Sequence, residues 1–502
     1  MKGLARIPRE ESNVAPDPRA PERTTAQQPT FRDPAGQLHL TQDRVLRQIH
    51  PAAVDATLDF LNSPLRASLE RSGDLVATEA AKPVAQETSD GGEKRELWLE
   101  HPRIDPISYP WEWTTGQWRA AAELTLRIAG QAVDAGWMLK DATPLNILFA
   151  GPRPVLVDVL SLERRDPRSA VWLAYGQFVR TFLLPLAAEK LLSWPLRATF
   201  FARDGYEPSA LYAALRPWQR VRPELLDVVM LATLFEGKSG NAQKGGAAGS
   251  HGFDPALAAH ILHKRFARLG RQIRRATRQE QRSRWSDYPQ SACHYQAADS
   301  DEKQRFVQSA LELCRPARVL DIGANTGTYS LLAAQAGAQV TALDSDAGAL
   351  ERLWRSAGKE GRTVTTLVAN IAAPTPGAGW RNREQLSLLE RLTGQFDLVL
   401  MLAVIHHLIL REQLPLGHIG ELCASLTRRW LLLEWVPPAD PMYQEWLRGR
   451  EHLYGAFTEE DLKQAFAAFF EVVDRKALGN GRVLLLLERS GARGPQTGPN
   501  PA

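Results

Sequence analysis

The second half of the chain alternates between short apolar runs and segments of helical spacing, the pattern of a parallel sheet wound from βαβ units. Strands are predicted at 318–322, 339–343, 363–368, 396–402 and 430–435. The alternation then changes. The apolar runs 469–474 and 482–488 are separated by a loop carrying Gly479, Asn480 and Gly481, which predicts a closing antiparallel hairpin. Upstream, Ile261, Leu262, Phe266, Leu269 and Ile273 fall at helical spacing in a helix over 255–284. Periodicity is missing from residues 1–40, from the Gly/Ser/Ala-rich run 237–252, and after Ser490. The predicted organisation is a disordered tail at 1–40, an N-terminal domain at 41–236 and a linker at 237–252. A basic helical connector and lid follows at 253–300, then an α/β domain at 301–490 and a frayed tail at 491–502.

Composition changes this picture little. With 502 residues, 44% of them hydrophobic and 24% charged, the chain has the make-up of a globular protein of two or three domains. Three cysteines, Cys293, Cys314 and Cys423, match neither a disulfide framework nor zinc-ligand spacing, so no metal site is expected. Without a signal-like N-terminus or a long apolar run, a cytoplasmic location is expected. A net charge of +4 is weak ground for nucleic acid. The predicted helix at 255–284 concentrates Lys264, Arg265, Arg268, Arg271, Arg274, Arg275, Arg278, Arg282 and Arg284 against Glu280 alone. Such a run could grip RNA phosphates, but beside an apolar stripe it reads as the solvated face of a packed helix.

Candidate chemistry starts in Val319-Leu320-Asp321-Ile322-Gly323-Ala324-Asn325-Thr326-Gly327, a strand, a tight turn and a helix start in succession. Gly323 and Gly327 remove Cβ atoms where a ligand would pass, Asn325 tolerates a left-handed conformation, and the helix N-terminus can meet a carboxylate. A dinucleotide fingerprint would have glycines where Asn325 and Thr328 stand. Asp344 closes the next strand, where a carboxylate can accept from both ribose hydroxyls, and Asn370 follows the third strand, where an amide can pair with an adenine edge. The fourth strand runs through Phe396-Asp397 and ends in Ala403-Val404-Ile405-His406-His407-Leu408. Ligands of doubly wound sheets lie beyond the carboxyl ends of the strands, so Ala403 is placed against the cofactor and His406 or His407 near the reacting atoms as a candidate base. Glu434, ending the fifth strand, is a candidate to orient a histidine or bind the acceptor. Capping a helix, steering a loop or pairing a charge would account for these three side chains equally well.

This stretch closely resembles the class I S-adenosylmethionine (SAM)-dependent methyltransferases. The resemblance implies a Rossmann-like seven-stranded fold ending in the antiparallel hairpin, SAM as cofactor, and Asp321, Gly323, Asn325, Gly327, Asp344, Asn370 and Ala403 around it. The departure is Asn370, where an Asp is commoner. Trp285, Tyr288 and Tyr295, just before the first strand, stand where many methyltransferases place a lid; their rings could clamp a sulfonium or simply pack.

In the first half, Lys140-Asp141-Ala142-Thr143-Pro144-Leu145-Asn146 is followed by Val155-Leu156-Val157-Asp158. An Asp, an Asn five positions on and a second Asp after a strand supply base and metal ligands in phosphotransferases. Asp141, Asn146 and Asp158 thus resemble the catalytic loop and metal-binding Asp of protein-kinase-like and aminoglycoside-phosphotransferase-like proteins. That resemblance implies an α+β domain and a Mg-ATP site. No Gly-rich phosphate loop or Lys-Glu pair accompanies it, and Lys82 is only a positional candidate.

The whole arrangement is similar to the nodulation protein NoeA-like family, over most of residues 43–490. The similarity rests on Ser108-Tyr109-Pro110-Trp111-Glu112-Trp113, Lys140-Asp141 through Asn146, Asp158-Val159-Leu160-Ser161, Trp285 to Tyr288, Asp321 through Gly327, and Ala403 through Leu408. It implies a bacterial cytoplasmic protein that methylates an oxygen or nitrogen of a small-molecule acceptor, a carbohydrate or other secondary product. The competing expectations are a bifunctional protein with a kinase-like phosphotransferase domain, and a noncatalytic RNA- or protein-binding scaffold.

Overall fold

The computed structural model describes residues 27–30, 32–41, 44–82, 97–231, 253–278, 297–454 and 456–491. The linker expected at 237–252 and the aromatic residues Trp285, Tyr288 and Tyr295 lie outside them.

The first half opens on an antiparallel sheet of β1 (Gln27–Thr30), β2 (Gly36–Leu40), β3 (Val45–Ile49), β4 (Glu79–Ala81) and β5 (Leu97–His101), in the order β1-β2-β3-β5-β4. The helix Thr115–Asp134 follows, its start fixed by a capping box between Thr114 and Gln117. Next come β6 (Trp137–Leu139), β7 (Ile147–Ala150), β8 (Arg153–Leu156) and β9 (Leu162–Arg164), with β7 pairing β8 and β6 pairing β9. This half is α+β.

Two expectations about its limits change. Residues 1–40 were expected to be tail, yet β1 and β2 lie inside that range, because β2 pairs β3 from Gly36 opposite Ile49 to Leu40 opposite Val45. Tertiary pairing overrides the weak local pattern there. The helix Pro255–Ala276, expected as connector and lid, belongs instead to the first-half core. Its Leu262, Phe266, Leu269 and Ile273 are buried in that core, and the Phe266 ring meets Trp172 edge-on at 5.0 Å. His263 Nε2 lies 2.8 Å from Asp134, and Arg268 and Arg274 pair with Asp227 and Glu123. Part of the basic face is thus spent on intramolecular carboxylates.

The second half is built on β10 (Arg318–Ile322), β11 (Gln339–Asp344), β12 (Val364–Val368), β13 (Phe396–Met401), β14 (Thr427–Trp435), β15 (Phe470–Ala477) and β16 (Val483–Arg489). Their order is β12-β11-β10-β13-β14-β16-β15, parallel except that β16 runs antiparallel to both neighbours. Side chains alternate between the two faces of a strand. Val319, Val340, Leu398 and Leu432 therefore enter one apolar core, while Leu320, Leu343, Val399 and Leu431 enter the other. Burial on both faces explains why these strands read as continuous apolar runs. β15 takes the edge and is exposed along most of its length, with Glu471, Asp474, Arg475 and Lys476 discouraging further pairing. Among the described residues no helix is long and apolar enough to cross a membrane.

The two halves are docked through polar contacts and through Trp354, which packs against the first-half core. The Gly116 amide donates to Glu351 at 2.8 Å, and Trp354 Nε1 donates to the Pro152 carbonyl at 2.9 Å. Arg391 forms a two-armed pair with Glu112, and both side chains are fully buried. Leu386 N donates to the Tyr109 hydroxyl at 2.9 Å.

Candidate functional site

The turn after β10 bends as its sequence suggests, with Gly323, Asn325 and Gly327 at φ of 75°, 51° and 87°. The reason for glycine differs from the expectation. A Cβ on Gly323 would lie 2.3 Å from Val404 Cγ2, and one on Gly327 would lie 2.1 Å from Leu353 Cδ1. These glycines admit neighbouring side chains of the protein itself. Asp321 is buried, accepts from Ser330 Oγ at 2.6 Å, and is pushed up by burial to about 6. It ties the turn to the following helix, Thr328–Gln335.

Asp344 sits at the end of β11 and accepts from the amides of Asn325 and Asp346, both at 2.8 Å. Burial raises its carboxyl above the ordinary value, and those two N–H groups oppose the shift. Asn370 spends its side-chain oxygen on the Ala372 amide at 2.9 Å, which leaves the amide nitrogen to meet a ligand. Asn325 Oδ1 is buried and has no hydrogen-bond partner. A buried acceptor left bare costs roughly 1–3 kcal/mol, and a ligand donor would relieve it. The turn, Asp344, Asn370 and this bare oxygen fit a ligand with ribose hydroxyls and a polar end.

Beyond β13, Ala403 has φ 56°, strained for a residue with a Cβ, and the short helix Ile405–Leu410 begins. The His406 and His407 ring centroids are 4.2 Å apart, and the His406 ring lies 6.5 Å from that of Tyr443. His406 is 2% exposed and its Nδ1 has no partner. Burial, helped by His407, Arg482 and Lys303, holds its pKa well below the ordinary range; His407 is lowered to about 4 by burial and then by Arg411 and Arg482. Both rings are neutral at pH 7.

Of the parts open to it, Glu434 takes charge pairing. It is fully buried and pairs with Lys303 Nζ at 2.6 Å and Arg482 Nη1 at 3.3 Å, while Arg482 Nε reaches Asp440 at 2.9 Å. Lys303 also lies 5.0 Å from the Tyr329 ring centre. The glutamate is committed to a buried ion network and has little left for an acceptor. Sequence reasoning missed Lys303 and Arg482, which stand 131 and 48 positions from Glu434. Nothing local marks either of them.

In the first half Asp141, Asn146 and Asp158 come together on one cavity. Asp158, however, is held by Arg47 Nη1 at 3.0 Å, by the Leu160 amide and by the Ser161 hydroxyl, and Asn146 donates to Ser161 Oγ at 3.0 Å. A guanidinium of β3 thus engages the carboxylate that was expected to hold Mg²⁺. Arg47 was not singled out from the sequence; Lys82, which was, is exposed just past β4.

Residues 320–424 match the family described as a methyltransferase domain. Over 481 residues the chain is 28% identical to nodulation protein NoeA of Rhizobium meliloti (strain 1021), covering 92% of this chain and 95% of that one. Among solved structures, magnesium protoporphyrin IX methyltransferase (ChlM) from Synechocystis PCC 6803 with bound SAM is 19% identical over 41% of this chain and 95% of its own, with a TM-score of 0.29. N-methyltransferase NodS from Bradyrhizobium japonicum WM9 is 13% identical over 38% of this chain and 97% of its own, with a TM-score of 0.30. With a seven-stranded sheet closed by an antiparallel hairpin, a glycine turn after its first strand and an acidic residue ending its second, the chain is similar to NoeA over nearly its whole length and carries in its second half a class I SAM-dependent methyltransferase domain.

Proposed function

We propose that this protein transfers the methyl group of SAM to an oxygen or nitrogen of a small acceptor, a hydroxylated or amino-bearing molecule such as a carbohydrate, with His406 facing the acceptor. Bound SAM supplies an electrophilic methyl on a sulfonium. The residues to hold it are the Gly323–Gly327 turn with Asn325, Asp344 for the ribose and Asn370 for the adenine edge; Ala403 closes the site at the end of β13. Asp321 acts through Ser330, keeping the turn in shape.

The observation that carries the reading is the bare Nδ1 of His406, buried at the carboxyl end of the sheet where an acceptor would lie. A neutral imidazole there accepts a hydrogen bond from an O–H or N–H and takes the proton as the new bond to carbon forms. Alignment of acceptor with methyl and sulfur supplies most of the rate. The Lys303–Glu434–Arg482–Asp440 network fixes the wall around the histidine. As units of the chain we propose 27–278, which includes the basic helix, and 297–491.

Incubating the intact chain with SAM labelled in the methyl group and with cell extract should yield one labelled class of small molecule. In His406→Ala, turnover should fall about 10²–10⁴-fold with SAM affinity nearly unchanged. Equal losses in rate and SAM affinity would make the imidazole a structural or cofactor group and overturn its role.

A further inference from the structure

A cavity of about 520 Å³ lies between the five-stranded sheet and the β7–β8 hairpin of the first half and takes no part in the proposed methyl transfer. Leu38 and Val45 from the sheet and Leu145 and Leu148 from the loop and hairpin give it an apolar part. A ring compound suits a mostly apolar pocket of this size with a few polar groups. The other half of the protein also contributes to it: Glu384, Gln385 and Leu386, from the segment between β12 and β13, line it directly. Glu384 is clamped by Arg32 and by Arg203 at 3.1 Å, and its carboxyl is held below the usual range although burial opposes this. The same segment begins at Asn370, beside the proposed adenine edge, and ends at Arg391, which is anchored on Glu112.

The charges decide what can enter. The lining holds four arginines against four aspartates and one glutamate, and His101, lowered to about 4 by burial, is neutral, so the formal charge of the lining is −1. Arg32 and Arg203 are engaged by Glu384, Arg103 by Asp105 and Arg47 by Asp158, so no guanidinium of the lining stands without a carboxylate to receive a phosphate. Asp141 is the opposite case. It forms no ion pair among the described residues; burial and then nearby Asp158 raise its carboxyl, and the charge of Lys140 and a hydrogen bond with the Gln177 side chain offset this only in part. A carboxylate so placed is relieved by hydroxyl donors.

We propose that this cavity is a metal-independent site for an uncharged, hydroxyl-bearing ring compound of nucleoside size, whose hydroxyls donate to Asp141 and whose ring lies between the sheet and the hairpin. The methyltransferase segment 384–386 is its lid, so an occupant touches both halves of the chain.

Calorimetry and thermal shift on the intact chain test this, with adenosine and uridine as probes, EDTA present, and S-adenosylhomocysteine saturating so that the methyl-transfer site is filled. At least one nucleoside should bind at one equivalent and raise Tm without any divalent ion, and Asp141→Asn should weaken it about tenfold or more. Leu148→Trp, which fills the slot from the hairpin side, should abolish binding and serves if Asp141→Asn does not fold. Adding Mg²⁺ and a triphosphate should bring no gain over the nucleoside. Failure of both nucleosides to bind, binding unchanged in both variants, or binding that requires Mg²⁺ and the triphosphate would each overturn the proposal; the last would mean that Asp158 leaves Arg47 for a metal.

Discussion

Arg391 and Glu112 join the halves through a guanidinium and a carboxylate whose side chains are 2% and 0% exposed. Replacing Arg391 by Met keeps an unbranched apolar stem, shorter than that of Arg, and removes the charge, leaving Glu112 buried without its guanidinium partner. Arg391 Nη1 also donates to the Ile107 carbonyl, so a backbone acceptor loses its donor at the same time. Breaking one side of such a pair costs about 3–5 kcal/mol, most of it the penalty of a buried uncompensated charge. Replacing both partners, as Glu112→Leu with Arg391→Met, removes that charge and should recover all but about 1–2 kcal/mol. Urea denaturation followed by tryptophan fluorescence reads both, since Trp111 and Trp113 flank Glu112. The single variant should shift the midpoint far more than the double variant. A loss under about 1 kcal/mol in Arg391→Met, or a double variant no better than the single, would refute the idea that this pair is sealed between the halves.

Asp344→Ala should weaken SAM binding by about 1.5–3 kcal/mol, roughly tenfold to 150-fold in Kd, by calorimetry; an unchanged affinity in the folded variant would remove Asp344 from the ribose. His407 is lowered to about 4 when folded but titrates near 6.5 when unfolded, so its contribution to stability is present above 6.5 and lost as pH falls through 4. His407→Gln should therefore narrow its stability difference from the parent protein by at most about 3 kcal/mol between pH 7 and pH 4. Comparison with the variant matters because Asp321, raised to about 6, acts in the opposite direction, its contribution being full below its unfolded value and lost as pH rises through 6. Parallel denaturation curves for both proteins across that range would show that His407 is not buried neutral.

The second half was legible in its sequence because strands buried on both faces leave continuous apolar runs and a glycine turn leaves a local signature. All seven strands appear where periodicity predicts, β14 starting three residues early at Thr427. The glycine turn after β10, Asp344 and the histidine pair lie at the strand ends where the sequence puts them. What the sequence could not decide are the long-range pairings. Glu434 is a strand-end carboxylate in the sequence and an ion-pair partner in the fold, because Lys303 and Arg482 arrive from a preceding helix and a hairpin. Asp158 has phosphotransferase spacing, but Arg47 reaches it across 111 positions. The helix Pro255–Ala276 carries an apolar stripe that announces burial without naming its partner, and only packing assigns it to Trp172 and the first core. Periodicity and turn chemistry are local, so one chain segment determines its own element; charge compensation and core membership depend on what the rest of the chain brings within a few ångströms.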